Sequence, residues 1–312
     1  MTAALIPLFT IILLGALAAR SGYVPAATIA PLSTFVVRVA LPALVFTAVT
    51  SAPLGESINP AFLGGFALGC LVMLMVGITI GRLVFKLSIN QAAAFALGMS
   101  NSNSGFMGYP IALSLIGPAA APMLAQAMIV ENVLIIPLAM TLIDSRGHGH
   151  KAAGAGRLAA IAISALSNPV IIAVVAGLAV AASGIVLPQP LRDAALMLSR
   201  VAAPVALFAV GTTVATAPMG GVAGMLAAVV IGKLVFHPLV MAGSMAIMPG
   251  IDPLTLGGGI IFAAVPMLSI YPLIAHRAGM HVLAASALLA ATTLSFGSLW
   301  VVVHLIAPLI SP

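Results

Sequence analysis

The sequence predicts an all-α membrane protein, with ten transmembrane helices built as two inverted five-helix repeats in which helices 4 and 9 are broken and cross. Three observations predict it: near-continuous hydrophobicity, loop positive charge concentrated in alternate loops, and self-similarity at one fixed offset. Hydrophobic residues fill 62% of the 312 positions and charged residues 5%, with a mean hydropathy of +1.28. A soluble domain needs about a quarter of its residues charged to cover its surface, so a soluble enzyme is excluded. Apolar segments of about 20 residues recur from end to end, each long enough to cross roughly 30 Å of hydrocarbon.

Hydropathy and turn residues place the ten spans at 3–20, 27–50, 60–85, 91–116, 119–143, 158–182, 191–216, 221–247, 254–276 and 282–308. The first has no lysine or arginine ahead of Arg20, so it reads as a retained helix and not a cleaved signal. Connections are short and rich in Gly, Pro, Ser and Asn, as in the run from Ser51 to Pro60. The longest runs from Asp144 to Arg157; it carries His148, His150 and Lys151 and reads as a solvated tether, with metal binding by the two histidines the less favoured alternative. Cys70 is the single cysteine, so no intrachain disulfide forms.

The charges orient these spans. With the N-terminus outside, the inner loops hold Arg20, Arg82, Lys86, Arg146, Lys151, Arg157 and Arg277, whereas the outer loops hold only Arg192. That bias puts the basic loops on the cytoplasmic side and both termini in the periplasm, as a multi-pass protein of a bacterial inner membrane. Scattered in loops, the basic residues are topology signals and call for no nucleic-acid partner, despite a pI near 10.3.

The self-similarity holds one register. Pro7 answers Pro169, Gly15 answers Gly177, and Ser21-Gly22 answers Ser183-Gly184, each 162 residues apart. Arg38-Val-Ala-Leu-Pro42 answers Arg200-Val-Ala-Ala-Pro204, and Tyr109-Pro110 with Gly117 answers Tyr271-Pro272 with Gly279. The halves are 1–145 and 158–312, joined by a cytoplasmic loop at 146–157. Five spans per half is an odd number, so the second half enters the membrane upside down, an architecture of secondary transporters that work by alternating access.

In such an architecture the solute site lies where paired helices are interrupted. The fourth segment contains Asn101-Ser-Asn103-Ser104-Gly105-Phe-Met-Gly108-Tyr-Pro110, a run no lipid-facing helix tolerates. The ninth contains Val265-Pro266-Met-Leu-Ser269-Ile-Tyr271-Pro272. Asn101, Asn103, Ser104, Gly105, Ser269 and Tyr271 are the candidate solute contacts, and Gly108, Pro110, Pro266 and Pro272 the candidate helix breaks. Half-helix N-termini facing the cavity would favour an anion. Buried ionisable residues need a use or a partner. Arg38, Arg200, Lys233 (with His237 one turn on) and Glu131 qualify. Glu131 either carries a coupling proton or pairs with Lys233 or Arg200; Arg38 and Arg200 either touch substrate or serve a structural interface. Trp300 reads as core or as an interfacial anchor.

At these residues the chain resembles the auxin efflux carrier family, in its bacterial, malonate-carrier-like branch. The match runs through Asn103-Ser-Gly-Phe-Met-Gly108-Tyr-Pro110 and Val265-Pro266 with Ala275. Ile270 departs from it, standing where many members have an amide, and this counts against an auxin-type site. The resemblance implies a scaffold of helices 1, 2, 6 and 7, often dimeric, and a moving transport domain of helices 3–5 and 8–10. It implies an elevator-type secondary carrier of malonate or another small carboxylate, needing no cofactor beyond a coupling proton or Na+. The alternatives are a uniporter or exporter of an auxin-like weak acid or amino acid, a passive channel, and a solute-gated sensor. HExxH, Gly-x-Ser-x-Gly and paired acidic motifs are absent from the sequence, which argues against an intramembrane enzyme.

Overall fold

The computed structural model describes residues 2–51, 58–144, 169–216 and 223–310. Helices run over Thr2–Arg20, 29–51, Pro60–Leu83, Ile89–Ser100, 104–116, 120–143, Pro169–Ser183, Gln189–Thr216, 223–246, Pro253–Ala264, Tyr271–His276 and His281–Leu305. Several starts are written in the sequence. Asn59 Oδ1 accepts from the amides of Ala61 and Phe62 at 3.0 and 3.1 Å, with Pro60 at the first helical position. Asp252 caps the helix at Pro253 by accepting from Thr255 N at 2.9 Å and Thr255 Oγ1 at 2.6 Å. Partial burial pushes the Asp252 carboxyl up, but these hydrogen bonds outweigh it and hold the group below its ordinary range.

Among the described residues, six helical stretches are long and apolar enough to cross a membrane: 30–47, 60–83, 89–143, 189–212, 223–246 and 281–305. Ile6–Arg20, Pro169–Ser183 and Pro253–Ala264 are apolar but shorter. The 89–143 stretch contains the fourth and fifth expected segments, which part at Gly117. The first eleven residues expected in the sixth segment, 158–168, lie outside the described residues, as does most of the central loop with His148, His150 and Lys151. Side chains such as Leu13, Met75, Val175, Leu273 and Leu305 are exposed on helices that carry hardly any charge, as a lipid-facing surface requires.

The helices pack in two groups. Thr2–Arg20 lies along Gln189–Thr216, and 41–51 packs on both Pro169–Ser183 and Gln189–Thr216. Pro60–Leu83, Ile89–Ser100, 136–143, 223–246, 253–276 and His281–Leu305 contact one another in the second group. Small residues set the approach inside the first group. A Cβ on Gly15 would collide with the backbone carbonyl of Phe208, and one on Gly211 with that of Ile12. A Cβ on Gly177 would lie 3.0 Å from Val49 Cβ and 3.5 Å from the Phe46 carbonyl oxygen. Gly15 on Phe208 and Gly177 on Phe46 are the same contact moved by the sequence offset, since 177 − 15 and 208 − 46 are both 162. Left-handed glycines follow the same rule: Gly22 and Gly184 have φ of 74° and 66°, and Gly117 and Gly279 have φ of 62° and 71°. Glycine takes that conformation without the clash a Cβ would make.

Gly211→Val is expected to lower thermal stability by at least about 1–3 kcal/mol, because its side chain meets main chain that cannot move aside. Melting of the purified protein in detergent checks this; a valine variant melting with the native protein would mean that the first and seventh segments do not pack backbone to backbone.

Candidate functional site

The interruption in the fourth segment falls on Asn101, Ser102 and Asn103, between Ile89–Ser100 and the helix that resumes at Ser104. Asn101 is extended, at φ −118° and ψ 141°. The ninth segment is interrupted over 265–270. The two interruptions bind each other: Asn103 N donates to the Pro266 carbonyl at 2.8 Å and Asn103 Nδ2 to Ser269 Oγ at 2.9 Å. Backbone freed in an apolar interior is satisfied by backbone and side chains of the partner break, as it must be away from water.

Two buried ionisable groups flank the crossing. Glu131 Oε1 accepts from Ser104 Oγ at 2.7 Å and from Ser102 N at 3.3 Å. On the far side Lys233 Nζ donates to Ser102 Oγ at 2.6 Å and to the Ala263 carbonyl at 3.0 Å, and contacts His237 Nδ1 at 2.6 Å. Glu131 and Lys233 do not form a direct ion pair; Ser102 stands between them, its amide to the acid and its hydroxyl to the amine. His237 Nε2 continues the chain to Cys70 Sγ at 3.8 Å.

The local backbone that presents these groups is unusual in the same way each time. Single turns with i→i+5 hydrogen bonds occur at Val36–Ala40, Ser104–Gly108, Val130–Ile135 and Gly232–Phe236. They close through Leu41 N, Tyr109 N, Ile136 N and His237 N, bonded to the carbonyls of Val36, Ser104, Glu131 and Gly232. Each of these donors immediately precedes a proline: Pro42, Pro110, Pro137 and Pro238. Proline has no N–H and its ring clashes with the carbonyl four residues back, so the preceding turn widens to make room. The widened turns hold Arg38, Ser104, Glu131 and Lys233.

A cavity of about 210 Å³ opens against the crossing. Its polar wall is Asn101 to Ser104, Glu131, Asn132, Ser269 and Ser33; its apolar wall includes Val37, Leu41, Met128, Ile136, Val170 and Leu268. Asn101 Oδ1 accepts from Ser102 N at 2.9 Å, while its buried Nδ2 has no partner among the described residues, leaving a donor for a solute. The walls come from both helix groups.

Apolar helices packed around a polar crossing suit passage of a solute through a membrane. The model of the family described as "Membrane transport protein" matches residues 1–302. The chain belongs to this family, that of the auxin efflux carriers. It is 30% identical over 293 residues to a protein of Rhizobium meliloti (strain 1021) named "Putative malonate transporter", covering 94% of this chain and 91% of that one. As a member of the auxin efflux carrier family it is a multi-pass membrane transport protein, not an enzyme.

Within this family member the residues singled out from sequence divide. Asn101, Asn103, Ser104, Gly105, Ser269 and Glu131 lie at the cavity wall. Tyr271 does not: it is fully buried, its ring against Gly98, where an added Cβ would lie 2.6 Å from Tyr271 Oη. Arg38 and Arg200 are exposed and line no part of the cavity, although Val37 and Leu41 on either side of Arg38 do; the arginine side chain leaves the helix on another face. Nor do the expected breaks all break. Gly108 and Pro110 lie in continuing helix beyond the interruption, and Pro272 sits in the first turn of Tyr271–His276, where a missing N–H costs nothing; Pro266 alone of the four lies within an interruption. Gly108 serves contact instead, since a Cβ there would lie 2.8 Å from Phe262 Cδ1. Sequence reasoning passed over Ser102 and Ser33 as contacts; Ser102 sat inside the quoted polar run, but only the crossing marks it as the residue both charges share.

The Tyr271 hydroxyl is buried without a partner among the described residues. Tyr271→Phe is therefore expected to melt at or above the native temperature, by up to about 1–3 kcal/mol of relieved desolvation, and to retain uptake. Loss of uptake at native stability would put the hydroxyl back among the solute contacts.

Proposed function

We propose that this protein is a secondary carrier of a small organic carboxylate, with malonate the first substrate to test. The observation that carries the reading is the cavity at the helix crossing, which joins a free Asn101 amide donor to a buried Glu131. The relative's printed name supports malonate. The cavity wall contains no lysine, arginine or histidine among the described residues, and Glu131 stands at the N-terminal turn of the helix resumed at Ser104. A substrate carboxylate beside an ionised Glu131 would meet strong like-charge repulsion in this poorly solvated site. A substrate carboxylate therefore binds beside Glu131 with a proton held between them, and taking that proton up with the substrate on one side and releasing it on the other couples transport to the proton gradient. That is proton coupling, favoured over sodium.

The alternating motion is of elevator type. Helices 1, 2, 6 and 7 form the scaffold and helices 3–5 and 8–10 the moving part, with ten spans, inverted halves and both termini in the periplasm of an inner membrane. Support comes from the shared glycine contacts and left-handed glycines at an offset of 162, and from cavity walls contributed by both helix groups. The exposed Arg38 and Arg200 and their apolar neighbours Val39, Met197 and Val201 suit a homodimer through the scaffold. A second reading, an exporter or uniporter of a weak acid with an apolar body, draws on the apolar wall of Val37, Leu41, Met128, Ile136 and Leu268.

Uptake and counterflow of radiolabelled malonate in proteoliposomes test the carrier. Saturable uptake accelerated by internal substrate is the expected result; an unsaturated current would make the protein a channel. Asn103→Ala removes the side-chain link between the two breaks but keeps the Asn103 N–Pro266 bond, so uptake is expected to fall roughly 100-fold with little change in melting. Glu131→Gln keeps an acceptor for Ser104 and cannot exchange a proton. Its uptake is expected to continue without following an imposed pH gradient, and unchanged pH dependence would return Glu131 to a structural role.

A further inference from the structure

Two half-helices end at the crossing, Ile89–Ser100 and Pro253–Ala264, and both bring their C-termini to it. The last carbonyls of a helix lack intrahelical donors and carry the negative pole of its dipole. Lys233 Nζ lies at both ends. It donates to the Ala263 carbonyl in the final turn of one half-helix, and to Ser102 Oγ two residues beyond the other. His237 Nδ1 is the third contact, at 2.6 Å. An ammonium has three protons and no lone pair, and here each proton has an acceptor. The residue is 0% exposed and has no carboxylate within ion-pair distance among the described residues; Glu131 bonds to other atoms of the same crossing. Gly232 places it, since any side chain there would run into Met99, and the widened turn Gly232–Phe236 presents the lysine inward. Two neutral oxygens and an imidazole nitrogen around one point, at the negative ends of two helices, also suit a small monovalent metal ion.

We propose that Lys233 is a tethered cation occupying the seat where the two half-helix C-termini converge, so that the crossing takes no monovalent metal ion while the lysine is there. Removing the side chain while keeping Ser102 Oγ, the Ala263 carbonyl and His237 Nδ1 uncovers a site for Na+ or Li+. The proposal does not depend on what the protein transports, because melting of the purified full-length protein reads it out with no substrate present.

Melting is measured at constant ionic strength in sodium, lithium or choline chloride. The native protein is expected to melt at one temperature in all three. Lys233→Ala is expected to melt lower in choline and to recover by at least about 3 °C in sodium or lithium, saturably with ion concentration. A native protein stabilised specifically by sodium overturns the proposal, as does a folded Lys233→Ala indifferent to the ion. If Lys233→Ala cannot be purified in any of the salts, Lys233→Arg and Lys233→Met decide. Arginine folding where methionine fails upholds the need for a cation at this point, and methionine folding as stably as the native protein removes it.

Discussion

A helix that stops inside an apolar molecule leaves main-chain carbonyls and amides that water cannot reach, and each costs several kcal/mol if unpaired. The crossing of the fourth and ninth segments answers that constraint, and the rest of the structure is arranged around it. Asn103 N meets the Pro266 carbonyl, Ser102 N is shared by Asn101 and Glu131, and Lys233 covers the Ala263 carbonyl. Because each break supplies partners for the other, the two are one unit. Separating them would expose several polar groups at once.

The prolines have a different part from the one their sequence positions suggest. A proline within a helix is ordinarily a kink or a stop. Here four of them are preceded by widened turns that absorb the missing hydrogen bond, and the helix continues. The extra residue turns the helix face just ahead of each proline, which is where Ser104, Glu131 and Lys233 sit. Where Pro204 repeats Pro42, the helix Gln189–Thr216 runs through without such a turn, so the device belongs to position and not to proline alone.

The sequence repeat and the charged residues divide the work. Among the residues related by the offset, glycines set crossing distances and turns, as Gly15 and Gly177, Gly22 and Gly184, and Gly117 and Gly279 do, and the one repeated pair of charges, Arg38 and Arg200, lies away from the crossing. The ionisable groups of the crossing are not repeated; Glu131 corresponds to Thr293 and Lys233 to Leu71.

Much was legible in the chain itself. Hydrophobicity and helix-ending residues are local properties, so the helical segments and the polar interruptions of the fourth and ninth segments follow from composition along the chain. Which way a side chain faces is not local. Arg38 and Lys233 both stand in widened turns ahead of a proline, yet one is exposed and the other fully buried. Tyr271 and Ser269 are two residues apart, yet one packs on Gly98 and the other meets Asn103. Those outcomes depend on neighbouring helices brought close by Gly98, Gly108 and Gly232, and only the assembled tertiary structure decides them, because pairing a buried charge takes partners from segments far apart in the chain.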